Sequence, residues 1–387
     1  MVGSNLLSNQ WLLFLTPFFF PFSFPFWSLD TKGLKEAVDF AIWAYLSDTK
    51  ELKENLDKAG FTLLKHDKVD EPGLVAHFIA LDSKAKVALI GVKGSSSIED
   101  LLTDCCCAAV TERLENSFVQ DQNLTEIHCH EGILISAKQL CQDLMPFVKD
   151  LFLPLEYKIL LCGHSLGAGA ANLVAVLLRS KIPALQQKNC IQVKAFASPP
   201  VLDHEASLAC KGFIDTIVNN SDVIPRCSMA NMAVFLECLR ILQEKLKEKG
   251  CYVNDGKSFK AFLQQLREGK KGEMIMSTDK AFQMLAEAQK AVALRGDDHD
   301  NHLYVPGRVL SLYTQWQDIY GSNSNLEEKG DTAQEEEAID DISQLPVYGV
   351  VTDGTSPTLR IFELDYRMIG DHFKKAYTLG VAGIVKD

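Results

Sequence analysis

The architecture of this chain is set by residues 158–171, KILLCGHSLGAGAA. The apolar residues before the glycine predict a buried β-strand, and the small residues after the serine predict a helix that lies close to a sheet. Between them, GHSLG matches G-x-S-x-G, a motif that places a serine on a sharp turn from strand to helix. At a helix N-terminus the dipole favours developing negative charge. The pattern predicts Ser165 as a nucleophile, and the flanking strand and helix disfavour the alternative of an ordinary glycine turn.

The rest of the chain alternates between strand-like and helix-like segments. Alternating or continuous apolar residues predict strands, and apolar residues three and four apart predict helices. The predicted strands are 74–81, 86–92, 157–162, 193–197, 213–218, 308–313 and 358–364, and the predicted helices include 33–47, 133–151 and 167–178. This alternation predicts an α/β fold with a mainly parallel central sheet and helices on both faces.

Three segments depart from this pattern. Residues 1–30 are rich in Phe and Pro, residues from about 228 to 303 are mostly helical, and those from about 321 to 345 form a loop with a strong excess of acidic side chains. We therefore predict one domain over 31–387 that carries a helical insertion and a solvated acidic loop. The insertion is basic over 240–271, and we expect either a solvated face or a lid or docking surface beside the site.

The segment 1–30 has no charged side chain before Asp30. A secretory signal needs Lys or Arg before its apolar stretch, and Pro17, Pro21 and Pro25 would break a membrane-spanning helix. Three interpretations stay open at this point. The segment is an interfacial membrane anchor, a strip packed on the domain, or a piece that the mature protein lacks.

Overall composition excludes some functional classes. The chain has 51 acidic and 39 basic residues, a formal charge of −12, so we expect no nucleic-acid partner. Its 11 cysteines include no C-x-x-C pair, which leaves zinc-ribbon and disulfide-exchange chemistry without support and favours reduced thiols inside a cell. The adjacent Cys105, Cys106 and Cys107 are either buried or lipid-modified near a membrane.

A serine nucleophile needs a base and a carboxylate that orients the base, which follow it in the order acid, then histidine, in folds with this motif. His299, His302 and His372 lie well beyond Ser165. The first two belong to a polar stretch without distinctive metal-ligand spacing, which indicates a solvated loop. His372 lies in a glycine-containing loop after the last predicted strand, and we predict that it is the base.

The carboxylate has three candidates. Asp222 directly follows a predicted strand, at a sheet edge that we expect to face the site. Asp215 lies within that strand and is expected to point away or to form a salt bridge. Asp371 is adjacent to His372, too close in sequence to orient its ring easily. We therefore predict Asp222 as the acid.

Stabilising the developing oxyanion requires two N–H donors. The amide of Leu166, directly after the nucleophile, is one. The other is expected from an early junction of strand and loop, and residues 92–97 fit, with Ser95 able to add its hydroxyl. The alternative for 94–97 is a serine-rich loop tip.

Several of these motifs occur together in a known family. Residues 94–104, GSSSIEDLLTD, resemble the oxyanion-loop signature of class 3 lipases, with Lys93 where arginine is usual. The other motifs follow in family order: HEG at 130–132, GHSLGAGAA at 163–171, ASPP at 197–200, NSDVIPR at 220–226, LYVPG at 303–307 and DH at 371–372. The set is most similar to the catalytic domain of sn-1-specific diacylglycerol lipases.

This resemblance implies an α/β-hydrolase fold and hydrolysis of acylglycerol esters without a cofactor or metal. Ser165, Asp222 and His372 would form the triad, and Ser95 and Leu166 would bind the oxyanion. The substrate, an acylglycerol or phospholipid, would be met at a membrane or lipid-droplet surface by a cytoplasmic, peripherally associated protein. Two alternatives stay open: an acyl hydrolase of the phospholipase A1 or galactolipase type, and a non-catalytic lipid-binding protein.

Overall fold

A computed structural model gives the fold. It describes residues 31–68, 74–94, 109–248, 278–294, 302–314, 347–361 and 368–384. The apolar segment 1–30, the loop with Ser95, the three adjacent cysteines and the acidic loop lie outside the described residues.

Ten strands are described. They are β1 (Thr62–Asp67), β2 (His77–Asp82), β3 (Val87–Val92), β4 (Ala109–Arg113), β5 (Glu126–His130), β6 (Lys158–His164), β7 (Ile191–Phe196), β8 (Ile214–Asn219), β9 (Arg308–Thr314) and β10 (Val347–Asp353). Eight of them form one sheet in the order β1-β2-β3-β6-β7-β8-β9-β10, and β4 pairs with β5. Strands β3, β6, β7, β8 and β9 are parallel neighbours, whereas β1, β2 and β10 pair antiparallel at the two edges. The predicted α/β class with a mainly parallel centre is confirmed.

Helices cover both faces of the large sheet. The described α-helices are α1 (Thr31–Trp43), α2 (Thr49–Lys58), α3 (Glu131–Phe147), α4 (Leu166–Lys181), α5 (His204–Ala209), α6 (Met229–Glu248), α7 (Thr278–Leu294) and α8 (Lys374–Ala382). Side chains alternate between faces along a strand. Accordingly Ile90 and Leu161 pack in the core under α3 and α4, while their neighbours Leu89 and Cys162 pack in the core under α1, α2 and α8.

Within 228–303, where the sequence predicts a helical insertion, the structure describes two helices, α6 and α7. They pack on each other through Cys238, Leu242, Met284 and Ala288. None of the described helices is long and apolar enough to cross a membrane.

The strand predicted at 358–364 is wrong for the residues described there. Pro357–Leu359 form a 3-10 turn, which suits a proline that has a fixed φ and no N–H for a ladder. The carbonyl groups of Thr358 and Leu359 accept hydrogen bonds from the Arg226 and Asn231 side chains instead of from a strand. The strand at this edge is β10, which the apolar pattern did not indicate.

Candidate active site

Ser165 lies on a strained turn between β6 and α4. Its φ of 62° is in the left-handed region, which costs a non-glycine residue about 1–3 kcal/mol, and its side chain is buried. The flanking glycines make the turn sterically feasible. A Cβ on Gly163 would lie 2.5 Å from the Gly167 carbonyl oxygen, and one on Gly167 would lie 2.4 Å from that of Val92. The strained geometry holds the hydroxyl at the N-terminus of α4.

His372 lies beside this serine. Its Nε2 is 3.1 Å from Ser165 Oγ, and its Nδ1 is 3.1 and 3.2 Å from the two carboxylate oxygens of Asp222. A carboxylate only accepts hydrogen bonds, so Nδ1 carries the proton and Nε2 is left to accept the serine proton. The structure therefore brings together the three residues predicted as nucleophile, orienting acid and base, which are Ser165, Asp222 and His372.

Asp222 is held as a carboxylate. Burial alone would raise its pKa, but His372, the Tyr377 hydroxyl and the Ile224 N–H together keep the pKa below its ordinary value. Tyr377 donates to Oδ2 at 2.6 Å, and Ile224 donates to Oδ1 at 2.9 Å. The acid is consequently ionised at neutral pH, as the orientation of the His372 ring requires.

Other acids considered from the sequence have different surroundings. Asp215 on β8 is paired with Lys194 at 2.5 Å and with Arg308 at 2.7 Å, so it forms the salt bridges expected of it. Asp371 accepts a hydrogen bond from the backbone N–H of Ser221 at 3.1 Å. It therefore holds the segment that precedes Asp222 rather than the imidazole ring.

Of the two predicted oxyanion donors, Leu166 is among the described residues and Ser95 is not. Leu166 is the first residue of α4, where backbone N–H groups have no acceptor within the helix. Ser95 lies outside the described residues, but the preceding Gly94 is close to the turn, since a Cβ on Gly167 would lie 2.8 Å from the Gly94 nitrogen. The chain thus approaches the nucleophile where it leads into Ser95.

Sequence reasoning missed three aromatic residues around this site, Tyr377, His164 and Tyr45. Tyr377 reaches Asp222 from α8, and nothing in the sequence distinguishes it from the other tyrosines. His164 occupies a variable position of G-x-S-x-G, yet its Nε2 is 2.8 Å from the His372 carbonyl oxygen. Tyr45 contacts His164 from the turn that follows α1. Among the described residues, no group of three or more His, Cys, Asp or Glu could hold a metal ion.

The strand order and the serine turn define an α/β-hydrolase. Residues 89–232 match the family model of class 3 lipases. Mouse diacylglycerol lipase-beta is 33% identical over 223 residues, which cover 54% of this chain and 31% of that protein. Human diacylglycerol lipase-alpha is 32% identical over 196 residues, which cover 48% of this chain and 17% of that protein. The predicted resemblance to class 3 lipases, and among them to diacylglycerol lipases, is confirmed.

The extent of these matches is limited. This chain spans less than a third of the length of either diacylglycerol lipase. Among solved structures, a propeptide complex of the Rhizomucor miehei lipase is 21% identical, with a TM-score of 0.41, over 51% of this chain and 63% of that one.

Proposed function

We propose that this chain is a serine hydrolase that cleaves fatty-acyl esters of glycerolipids, with diacylglycerol or another acylglycerol as its substrate. The observation that carries the proposal is the alignment of Ser165 Oγ, the His372 ring and the Asp222 carboxylate through contacts of 3.1 Å. The class 3 lipase match over residues 89–232 and the diacylglycerol lipase relatives support ester hydrolysis as the chemistry.

The geometry supports a two-step reaction through an acyl-enzyme. Ser165 Oγ attacks the ester carbonyl carbon while His372 Nε2 takes its proton. The Leu166 N–H, together with Ser95, stabilises the oxyanion, which collapses and expels the alcohol after protonation by His372. Water then attacks the acyl-enzyme with His372 as base, and the fatty acid leaves. Asp222 stabilises the imidazolium in both steps.

Apolar side chains beside the triad support a lipid substrate. Val223 and Ile224, which follow the acid, pack in one cluster with Met368, Leu166 and Ile369, which flank the base and the nucleophile. Phe373, directly after His372, is 51% exposed. These apolar surroundings of the triad and the exposed Phe373 suit a fatty-acyl chain delivered from a membrane or lipid droplet, so peripheral association with that surface is part of the proposal.

Hydrolysis assays with the purified full chain test this function. Diacylglycerol, triacylglycerol and phosphatidylcholine are presented in the same mixed micelles, and released fatty acid is measured for the wild type and for Ser165→Ala. We expect turnover of acylglycerol that Ser165→Ala abolishes. Preferred cleavage of phosphatidylcholine would support the phospholipase A1 alternative. Lipid binding without any hydrolysis would overturn the proposal and support a non-catalytic lipid-binding protein.

A further inference from the structure

His164, the residue before the nucleophile, makes contacts that the triad mechanism does not use. It is buried, and its ring centroid lies 4.9 Å from that of His372. Its Nε2 is 2.8 Å from the His372 carbonyl oxygen. Since a carbonyl only accepts, Nε2 must be the protonated nitrogen. Burial, reinforced by the nearby His372, lowers the pKa of His164 to about 3, so the ring is neutral and its Nδ1 is an acceptor.

Tyr45 supplies the donor that this acceptor needs. Its hydroxyl oxygen is 3.2 Å from His164 Nδ1 and 3.2 Å from the His164 carbonyl oxygen, so its one proton is shared between these two acceptors. The Gly94 backbone packs against the same oxygen, because a Cβ on Gly94 would lie 2.5 Å from it. Burial raises the pKa of Tyr45 well above its ordinary value, so the hydroxyl keeps its proton. The Lys374 Nζ lies 3.9 Å from the centre of the Tyr45 ring.

Together these contacts join segments that are far apart in the sequence. One path of contacts runs from the Gly94 backbone, which packs against the Tyr45 hydroxyl, and continues by hydrogen bonds through the His164 ring to the His372 carbonyl oxygen. One end is the backbone that leads into Ser95, and the other is the backbone of the proposed base. Rates of such reactions are sensitive to displacements of about 1 Å, which change them by about 100-fold.

Resting on the proposed ester hydrolysis, we propose that Tyr45 and His164 are positioning residues, which hold the backbone of His372 and the start of the oxyanion loop in fixed places around Ser165. Neither residue touches the reacting ester. These residues determine how often the base and the oxyanion donors are in place at the same time. Substituting them should therefore change kcat rather than KM.

Removal of the Tyr45 hydroxyl tests the middle of this path of contacts, between Gly94 and His164. Tyr45→Phe keeps the ring under Lys374 but leaves His164 Nδ1 without this partner and the Gly94 backbone without this packing contact. With a water-soluble short-chain ester, we expect kcat to fall about five- to thirty-fold, and KM to stay within about twofold of the wild type. The soluble ester separates positioning from any effect on docking to a lipid surface.

Tyr157→Phe is the matched control. The Tyr157 hydroxyl contacts Ser83 Oγ at 3.2 Å, and Lys86 lies 4.8 Å from its ring centre. The environment therefore resembles that of Tyr45, but Tyr157 lies just before the start of β6, whereas His164 lies at the end of that strand. We expect this variant to keep the wild-type kcat.

Two substitutions of His164 test the part of the path that leads from Tyr45 to the His372 carbonyl oxygen. His164→Gln keeps an N–H near the position of Nε2, whereas His164→Leu removes both polar atoms. We expect kcat close to that of the wild type for Gln and a fall of about 100-fold for Leu. Combining Tyr45→Phe with His164→Leu should lower kcat little further than His164→Leu alone, because both substitutions interrupt the same path of contacts. If His164→Leu does not fold, the kcat values of Tyr45→Phe and His164→Gln still test the positioning role.

The outcomes separate this inference from the proposed function. Equal kcat values for folded Tyr45→Phe and Tyr157→Phe would overturn the positioning role alone, as would a fall that disappears when both are assayed well below their melting temperatures. Hydrolysis that persists in Ser165→Ala, or is absent from the wild type, would overturn the proposed function and this inference with it.

Discussion

Replacing Tyr377 with phenylalanine removes one oxygen from the most buried part of the site. Tyr377 has no solvent exposure, and its hydroxyl donates to Asp222 Oδ2 at 2.6 Å while accepting from the Asn219 N–H at 3.1 Å. The ring itself packs edge-on against Phe196 and His164, with centroids 6.2 and 5.5 Å apart. Phenylalanine keeps those ring contacts, so the substitution isolates the two hydrogen bonds.

The magnitude follows from the two hydrogen bonds that the substitution removes. A hydrogen bond to an ionised carboxylate contributes about 1.5–3 kcal/mol, and a buried N–H left without a partner costs about 1–3 kcal/mol. We therefore expect Tyr377→Phe to lower the free energy of unfolding by about 3–5 kcal/mol. Asp222 keeps its hydrogen bonds with His372 and Ile224, so the imidazole stays oriented. Activity should fall about tenfold, far less than the roughly 10⁴-fold expected when the carboxylate itself is replaced.

The pH dependence of this loss identifies its cause. The lowered pKa of Asp222 stabilises the fold above the ordinary carboxyl pKa of about 3.9, and that stability is lost as pH falls through the folded value. The Tyr377 hydrogen bond is one cause of the lowered pKa. The deficit in unfolding free energy of Tyr377→Phe should therefore be complete at pH 7. It should shrink as pH falls through the folded-state pKa of Asp222, which lies below about 3.9, because the unfolded-state pKa is the same in both proteins.

Urea unfolding at pH 7 and at steps from pH 4 down to about pH 2.5, followed by circular dichroism, measures both the size of the deficit and its pH dependence. Tyr157→Phe serves as the control, because its hydroxyl contacts a neutral serine and its effect should not change with pH. A deficit for Tyr377→Phe under about 1 kcal/mol at pH 7 would refute the reasoning about the Asp222 hydrogen bond, as would one that does not shrink down to the lowest pH at which both proteins fold.

Further substitutions separate the roles of the acids and of the nucleophile. Ser165→Ala should abolish ester hydrolysis while the melting temperature stays at or above that of the wild type, since the strained serine loses only its hydroxyl; turnover in the folded variant would contradict the assignment. Asp222→Asn should lower kcat by about 10³ or more, whereas Asp371→Asn, whose carboxylate bonds the Ser221 N–H, should do far less. Steady-state kinetics on both variants tests the assignment of Asp222 as the acid, and a larger fall in kcat for Asp371→Asn would contradict it. Asp215→Asn breaks the pairs with Lys194 and Arg308 and should cost about 1–3 kcal/mol of stability in thermal unfolding with kcat unchanged; a loss of activity would contradict its purely structural role.

Local sequence patterns predicted the parts of the site that one turn or one strand end determines. The apolar strand, the glycines and the small residues around Ser165 identify the serine turn, because only such residues fit where β6, α4 and the end of β3 converge. Asp222 and His372 were predicted because a nucleophile of this kind requires an acid and a base, and because each lies in a short polar segment beside apolar residues.

What the sequence could not supply depends on contacts between distant segments. Tyr377 and Tyr45 reach the site through the packing of α8 and α1 on one face of the sheet, and no local pattern reports such packing. The strand predicted at 358–364 failed for a related reason. Its apolar residues matched a strand, but Pro357 begins a turn whose carbonyl groups are taken by side chains from the segment after β8.

Covalent labelling tests most directly the claim that His372 activates Ser165 as the nucleophile. The full chain is treated with a p-nitrophenyl alkylphosphonate and analysed by intact-mass and peptide mass spectrometry. We predict one phosphonyl group per wild-type chain, attached to Ser165, much slower labelling of His372→Ala, and none of Ser165→Ala. A label on another serine, or a wild-type chain that hydrolyses acylglycerol while Ser165 stays unlabelled, would contradict the claim.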